Sequence, residues 1–551
     1  MKVALAQINP IVGDIAGNLE KAKRFCAQAA RAGAQLVVFP ELSICGYPPR
    51  DLLAKERFVA DSVAAVEQLA DSCRSVAALV GFVRPAPGAE GQPLQNAAAL
   101  LADGQIRDVH IKRLLPTYDV FDETRYFQPG GDSGCVEVAG IRVGVSICED
   151  LWDAEGIGRQ LYDADPIGQL SAAGAEIIVN MAASPYQTHK PAKRREVFSR
   201  QAQRAGAPIL YCNQVGGNDE LIFDGASCCI CASGRVVAQA ASFCEDLLVV
   251  DVCPCGTGTC SPLPGDIESL AEAIRLGLGD YVRKCGFSKV VLGLSGGIDS
   301  ALVAALAADA LGGENVLGLA MPSRYSSGHS VSDARQLAEN LGIDDREIAI
   351  EPMHRAFEQA SAELLAEGDA DLAGENIQAR IRGVLVMAAS NALGHLALAT
   401  GNKSELSVGY CTLYGDMCGG LAPIGDVYKT DVYRLCEWLN DSAGHERIPR
   451  HIIEKPPSAE LKPGQVDQDK LPPYDQLDAI LLRYVERDLT GEQIVGEGYD
   501  ADTVWRVIGM VDAAEFKRKQ AAPVLKVTAR AFGAGRRVPI AQRYRPLGGR
   551  R

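Results

Sequence analysis

The run Ser295-Gly296-Gly297-Ile298-Asp299-Ser300 holds the parts of an anion site. Glycines let backbone N–H groups approach an oxyanion, and a helix starting at the same place adds partial positive charge. Ser295 and Ser300 add hydroxyl donors. A carboxylate beside a phosphate repels it, so Asp299 fits only if it holds a magnesium ion that bridges to phosphate oxygens. The plain alternative is a glycine-rich turn with no ligand. The kinase and GTPase loop GxxxxGK(S/T) is excluded, because no lysine stands at the required place. A second set is dispersed: Glu41 in FPEL, Lys112 in HIKRLLPTYDVFDETRYF and Cys148 in SICEDLW. A reactive thiolate needs a base and a positive charge nearby, and a glutamate and a lysine supply them. Taken singly, the three read as a solvated turn, a surface lysine and a core cysteine.

The elements around these residues are consistent with positioning them. VVLGL, Val290 to Leu294, before the glycine turn is a short apolar run with no polar alternation, the pattern of a buried strand, and Ala301 onward has the density of a helix. The pattern then repeats: strand NVLGLAMPS, helix SVSDARQLAENLG, strand REIAIEPM, helix ENIQARIRGVLVMAASNALG, strand LALATGN. Such a doubly wound parallel sheet holds ligands at the carboxyl ends of its strands. Upstream, KVALAQI, QLVVFPE, VAALVGFV, IRVGVSICED, AEIIVNMAAS and PILYCNQV read as strands between helices. Asn18 reads as the cap of the first helix, and Glu41, Lys112 and Cys148 each fall where a strand gives out. This is a layered α/β domain ending near Val252.

SGGxDS after a strand resembles the pyrophosphate loop of the ATP pyrophosphatase family. FPEL, IKRLLPTYDVFDETRYF and the CED after GVSI resemble the carbon–nitrogen hydrolase (nitrilase-like) family. PSRYSSGHS, ENIQARIRG, TGNKSE, GYCTLYGDMCGG and PPSAELKPGQVDQDKLPPYDQLD, taken with both, resemble the glutamine-dependent NAD synthetase family over nearly the whole chain.

The resemblance implies an N-terminal αββα sandwich (1–252), a linker (253–265) and a C-terminal Rossmann-like ATP pyrophosphatase domain (266–551). It implies a Glu41–Lys112–Cys148 triad for glutamine hydrolysis, with Tyr118, Ser184 and Lys190 holding the amino acid. Glu123 either orients Lys112 or forms a structural ion pair. ATP falls to Gly293, Leu294, Ser295, Gly296, Gly297, Ile298, Asp299, Ser300 and Thr400. Deamido-NAD falls to Asn376, Glu405 and Lys517, with Lys519 the competing lysine and a solvated helix face the alternative for both. Asp299 and Glu405 are the implied magnesium ligands. The implied reaction is the last step of NAD biosynthesis, carried out by a homo-oligomer. Departures are Gly328, where many relatives carry an acid, and the Cys228-Cys229 pair.

The chain has 551 residues, a net charge of −15 and 17 cysteines. That length allows two domains, and the acidic balance argues against a nucleic-acid partner held by general electrostatics. No apolar run is long enough to cross a bilayer, and the opening MKVALAQINP breaks too early for a signal peptide. A cytoplasmic protein with reduced thiols is expected. Cys253, Cys255 and Cys260, with Cys228, Cys229 and Cys231, lack the paired C-x2-C spacing of a zinc site and read as free thiols. The basic tail GRRVPIAQRYRPLGGRR reads as disordered, or as packed through GRRVPI.

Two rival readings remain at this level. One is an amidotransferase built on a Cys–His–Glu glutaminase, for which no histidine pattern is present. The other is a non-enzymatic nucleotide sensor, against which the intact triad and SGGIDS stand.

Overall fold

The structure is a computed structural model that describes the chain except residues 89–90, 133, 253–256, 327, 368–369, 459, 463 and 545–551. Cys253 and Cys255, and the end of the basic tail, lie outside the described residues. The chain divides into two compact units, Met1–Asp266 and Ile267–Arg551.

The first unit is built on strands β1 (Lys2–Gln7), β2 (Leu36–Val38), β3 (Ala77–Pro85), β4 (Leu94–Ala102), β5 (Gln105–Ile111), β6 (Cys135–Val138) and β7 (Ile141–Ile147). They are followed by β8 (Ile177–Ala182), β9 (Ile209–Asn213), β10 (Val215–Asn218), β11 (Leu221–Asp224), β12 (Cys228–Ile230), β13 (Val236–Gln239) and β14 (Asp246–Asp251). Two six-stranded sheets result, in the orders β14-β1-β2-β3-β4-β5 and β13-β12-β9-β8-β7-β6. Each has three parallel strands at its centre and antiparallel strands outside them.

Alternation along β1 sets the layers. Val3 and Leu5 join Val143, Val145 and Val179 in the core between the sheets. Ala4 and Ala6 face Phe25, Ala29 and Leu69 of the helices Ile15–Arg31 and Glu56–Ala70. A one-residue slip would exchange the two faces and drive large side chains against helices that the alanines let approach. The first helix is capped by Asp14, whose carboxylate accepts from the Gly17 N–H at 2.9 Å. Asn18, the expected cap, lies inside the helix and is buried. Its amide instead accepts from the Ile11 N–H and donates to the Ile44 carbonyl, anchoring the incoming loop.

Of the expected linker, the described part is bound to the sheet. Residues Thr259 and Ser261 exchange backbone hydrogen bonds with Gln239 of β13. Cys228, Cys229 and Cys231 are buried, Cys260 is exposed, and the cysteines recorded are free.

The second unit holds one four-stranded parallel sheet, with strands β15 (Val290–Gly293), β16 (Val316–Ala320), β17 (Asp344–Glu347) and β18 (Leu396–Leu398) in the order β17-β16-β15-β18. The chain steps outward from β15 to β17, then returns to pair β18 on the other side of β15. The carboxyl end of β15 is therefore the topological switch point. Helix Ile298–Leu311 follows it and is buried along nearly its whole length.

The strand expected at REIAIEPM begins earlier, at Asp344, and stops at Glu347. Its residues are exposed because it is an edge that pairs through backbone alone. Glu351 and Pro352 open the next helix, where proline at the first turn costs no hydrogen bond. A separate helical core gathers Leu477, Leu481, Val504, Val507 and Val511. Chain beyond residue 521 is tied in by Asp426, which accepts the backbone N–H groups of Val527 and Thr528 at 2.8 Å each. Arg536 of the GRRVPI stretch stacks on Tyr484. Among the described residues, no helix is long and apolar enough to cross a membrane.

Candidate active sites

In the first unit, β2, β5, β7 and β8 run out next to Glu41, Lys112, Cys148 and Ser184. The Lys112 ammonium donates to Glu41 Oε1 at 2.7 Å and to Glu123 Oε1 at 2.8 Å, with all three side chains almost fully buried. Asn96 Nδ2 donates to the same oxygen of Glu41, and the Ala183 N–H donates to its other oxygen. Glu123 also accepts from the Tyr47 hydroxyl at 2.9 Å. Glu123 therefore orients Lys112 as one end of a buried ion pair, which unites the two roles left open by the sequence.

Cys148 opens a 3-10 turn, Cys148–Leu151, with φ of 48°. A side chain in that left-handed region carries strain and persists only where its surroundings fix it. Asp150 does the fixing. Its carboxylate accepts from the Ile147 N–H at 3.0 Å and from the Leu114 N–H at 2.8 Å, so one side chain ties the cysteine turn to the segment carrying Lys112. Asn180 donates to the Cys148 carbonyl at 3.3 Å.

Burial first, and then Glu41, push the Cys148 thiol well above its ordinary value, while Lys112 pulls it down. Burial would lower Lys112, yet Glu123, Glu41 and Cys148 together hold it above its usual range. Burial raises Glu123 to about 7 and Asp150 to about 6. The resting thiol is therefore protonated and needs a base as it reacts.

Tyr118 donates to Glu149 at 2.9 Å, and Tyr162 donates to the same carboxylate at 3.1 Å. Burial raises Glu149, against the pull of Lys112 and the two hydroxyls. Lys190 donates to the Pro185 carbonyl and lies over the Trp152 ring. Ser184 is buried, its N–H bound to Asn213.

In the second unit the turn after β15 is held by its own hydroxyls. Ser295 Oγ accepts from the Gly297 N–H at 3.2 Å and lies 3.1 Å from Ser300 Oγ, which in turn donates to the Gly297 carbonyl. Gly296 has φ of 74°, and a Cβ there would stand 2.5 Å from the Ser330 carbonyl oxygen, so only glycine fits. Gly297 caps helix Ile298–Leu311 without a side chain, which leaves the first-turn N–H groups free of a side-chain cap.

The turn lines a cavity of about 530 Å³. The other polar segments singled out from sequence reach the same space through Ser326, Asn376, Thr400, Thr412, Ser458 and Asp467. Of the expected ATP residues, Gly293, Leu294, Ser295, Gly297, Ile298, Asp299, Ser300 and Thr400 line it. Gly296 instead turns the chain behind them. Asn376 accepts from the Thr412 hydroxyl at 2.8 Å. Lys517 lines the cavity and donates to the carbonyls of Gly409 and Cys411 at 2.8 Å each, whereas Lys519 pairs with Glu515.

Asp299 and Glu405 meet at Lys429. The ammonium is hydrogen-bonded to Asp299 and lies 3.5 Å from Glu405. Asn402 joins them, donating to Asp299 at 2.9 Å while it caps the helix that carries Glu405. Burial and then Asp299 raise Glu405 to about 8, and burial raises Asp416 in the same cavity to about 6. Among the described residues, no group of three or more His, Cys, Asp or Glu forms a ready cation cage. Magnesium, however, is usually held by one or two carboxylates completed by substrate phosphates. Two hard oxygen donors that share one ammonium fit that pattern.

The carbon-nitrogen hydrolase family pattern matches residues 2–258, and the NAD synthase pattern matches residues 270–521. A glutamine-dependent NAD(+) synthetase of Synechocystis sp. is 50% identical over 99% of this chain and 99% of its own length. The chain belongs to the glutamine-dependent NAD(+) synthetase family. A member from Thermotoga maritima is 43% identical over 99% of both chains. The solved structure of a glutamine-dependent NAD+ synthetase from Acinetobacter baumannii in complex with ADP is 40% identical, covers 98% of both chains and superposes with a TM-score of 0.78. One from Cytophaga hutchinsonii, 21% identical, shares the fold with a TM-score of 0.84 over 98% of both chains.

Several site residues carry no sequence signal of their own. Glu149 and Asp150 are visible only as the rest of the CED motif. Lys429, in VYKTDVYR, carries no motif, and only tertiary packing carries it to Asp299. Asn96 sits within a strand among alanines.

Proposed function

We propose that this chain converts deamido-NAD, ATP, L-glutamine and water to NAD, AMP, diphosphate and L-glutamate, with one half-reaction in each unit. The observation that carries the reading is that a single chain holds both a buried Glu41–Lys112 pair beside a strained cysteine and a glycine turn opening on a carboxylate-lined cavity.

In the first unit, Tyr118, Ser184 and Lys190 hold the amino-acid end of glutamine, with Glu149 as a further polar contact. Cys148 Sγ attacks the side-chain carbonyl as Glu41 takes the thiol proton. Lys112 stabilises the tetrahedral oxyanion. Glu41 returns the proton to the departing ammonia, leaving a thioester. Water, deprotonated by Glu41, then cleaves the thioester and releases glutamate.

In the second unit, the turn Gly293 to Ser300 and Thr400 hold ATP, while Asn376, Glu405 and Lys517 hold deamido-NAD. A nicotinate carboxylate oxygen attacks the α-phosphorus, and diphosphate leaves toward the glycine turn. Ammonia then attacks the acyl adenylate, AMP departs, and a cavity carboxylate takes the surplus proton. Asp299 and Glu405 would hold magnesium, which supplies charge neutralisation on the phosphates. Ammonia is mostly protonated at neutral pH, so it must reach the adenylate without equilibrating with bulk water.

The test is product analysis with ATP, magnesium, deamido-NAD and glutamine. NAD, AMP and glutamate are expected in equal amounts. Cys148→Ala should abolish synthesis from glutamine and spare synthesis from ammonium salts. Glutamate without NAD, or equal loss with both nitrogen sources, would refute the division of labour.

A further inference from the structure

Three cavity-lining side chains form a closed hydrogen-bonded triangle. Ser330 Oγ donates to Glu460 Oε1 at 2.7 Å. Lys455 Nζ donates to Ser330 Oγ at 2.7 Å and to the same Glu460 oxygen at 3.0 Å. Arg382, also in the lining, donates through Nε to the Met321 carbonyl at the end of β16. Burial lowers Arg382, and Glu460 is the acid that pulls it back up. An ammonium and a hydroxyl thus meet on one carboxylate, with a guanidinium in the same cavity lining.

The triangle touches the glycine turn directly. Ser330 supplies the backbone against which Gly296 packs. Glu460 has φ of 48°, a conformation unfavourable for a side chain of its kind, and its N–H is held by the Ser458 hydroxyl at 3.1 Å. A strained residue of this kind is held by its contacts and relaxes when they are replaced.

We propose that Ser330, Arg382 and Lys455 form an anion subsite for a terminal phosphate of ATP and for the leaving diphosphate, and that Glu460 fills it when no polyphosphate is bound. The donor set is that of a phosphate site, with an ammonium and a hydroxyl on one oxyanion and a planar guanidinium in the same lining. A fixed carboxylate in a polyphosphate cavity would repel the ligand. Glu460 avoids this by leaving as the phosphate arrives, so its cations are never left unpaired. This inference rests on the cavity being a polyphosphate site.

The experiment is calorimetric titration with inorganic pyrophosphate, without metal, of the full chain and its Glu460→Gln and Lys455→Met variants. If the internal carboxylate fills the subsite about nine-tenths of the time, removing its charge tightens pyrophosphate about tenfold. Lys455→Met should weaken binding by about tenfold, and it keeps the subsite testable if Glu460→Gln disturbs its own segment. Binding by wild type that is unchanged or weakened in Glu460→Gln overturns the internal-anion role. Unchanged binding in Lys455→Met overturns the subsite. Failure of wild type to bind pyrophosphate overturns instead the polyphosphate reading on which both depend.

Discussion

Replacing Lys112 with methionine keeps the side-chain length and removes the charge between two buried carboxylates. Breaking a buried ion pair by deleting one partner costs about 3–5 kcal/mol, since the other charge is left uncompensated. Two features place this site near the lower end. Glu41 keeps its bonds from Asn96 and the Ala183 N–H, and Glu123 keeps the Tyr47 hydroxyl. Glu123 also titrates at about 7 already, so it can escape by protonation. A loss of about 3 kcal/mol in a unit of this size lowers its Tm by roughly 6–12 °C.

The deficit should also depend on pH. Without the ammonium, Glu123 holds in the folded state a proton that the unfolded chain has released. Its contribution is then most favourable at low pH and is lost as pH rises through the folded value. The deficit against wild type therefore shrinks on going from about pH 7.5 to about pH 5.5. Scanning calorimetry across that range measures both effects. A Tm change below about 3 °C, or a deficit that grows toward acid, would refute the view that the pair is held by charge.

Gly296→Ala should cut ATP-dependent NAD formation by at least about a hundredfold while leaving glutamine hydrolysis measurable, because its Cβ would stand on the Ser330 carbonyl. Near-normal synthesis would show that the turn tolerates the clash. Burial and Asp299 hold Glu405 above the usual carboxylate range, at about 8, so binding of magnesium and ATP should release a proton. Apparent affinity should then rise up to about tenfold per pH unit below 8, and calorimetry in two buffers showing no release would exclude Glu405 as a ligand. Lys517→Met should raise the KM for deamido-NAD by at least about tenfold, and Lys519→Met should leave it within about twofold. Equal effects would undo the choice between them.

The residues legible in the sequence are those whose chemistry conflicts with their place. An acid in the glycine turn marks Asp299 locally, whereas Glu41, Lys112 and Cys148 each have a plain reading alone and stand out only as a set at strand ends and through the family resemblance. Lys429 and Asp150 act through partners far along the chain, at Asp299 and at Leu114, and no local pattern marks such a pairing. The shifted edge strand has a similar cause. Asp344–Glu347 pairs through backbone alone, with exposed side chains, so hydropathy points two residues too late. Asn18 is of a type that suits a helix cap. The bonds that use it instead, at Ile11 and Ile44, come from two loops whose paths only the fold determines.

The antiparallel pairing of β1 with β14 has a consequence for how this chain is made. Lys2 lies opposite Asp251 and Gln7 opposite Asp246, so the first strand of this unit to be synthesised is completed by its last. The side chain of Gln7 waits as well, since it binds the Ala241 and Cys244 carbonyls. At about 5–20 residues per second, synthesis leaves that edge of β1 unpaired for roughly 12–50 s. An exposed strand edge is a template for joining another chain. Nascent chains halted before residue 246 should therefore need a chaperone or aggregate, and chains halted a few residues beyond 251 should not.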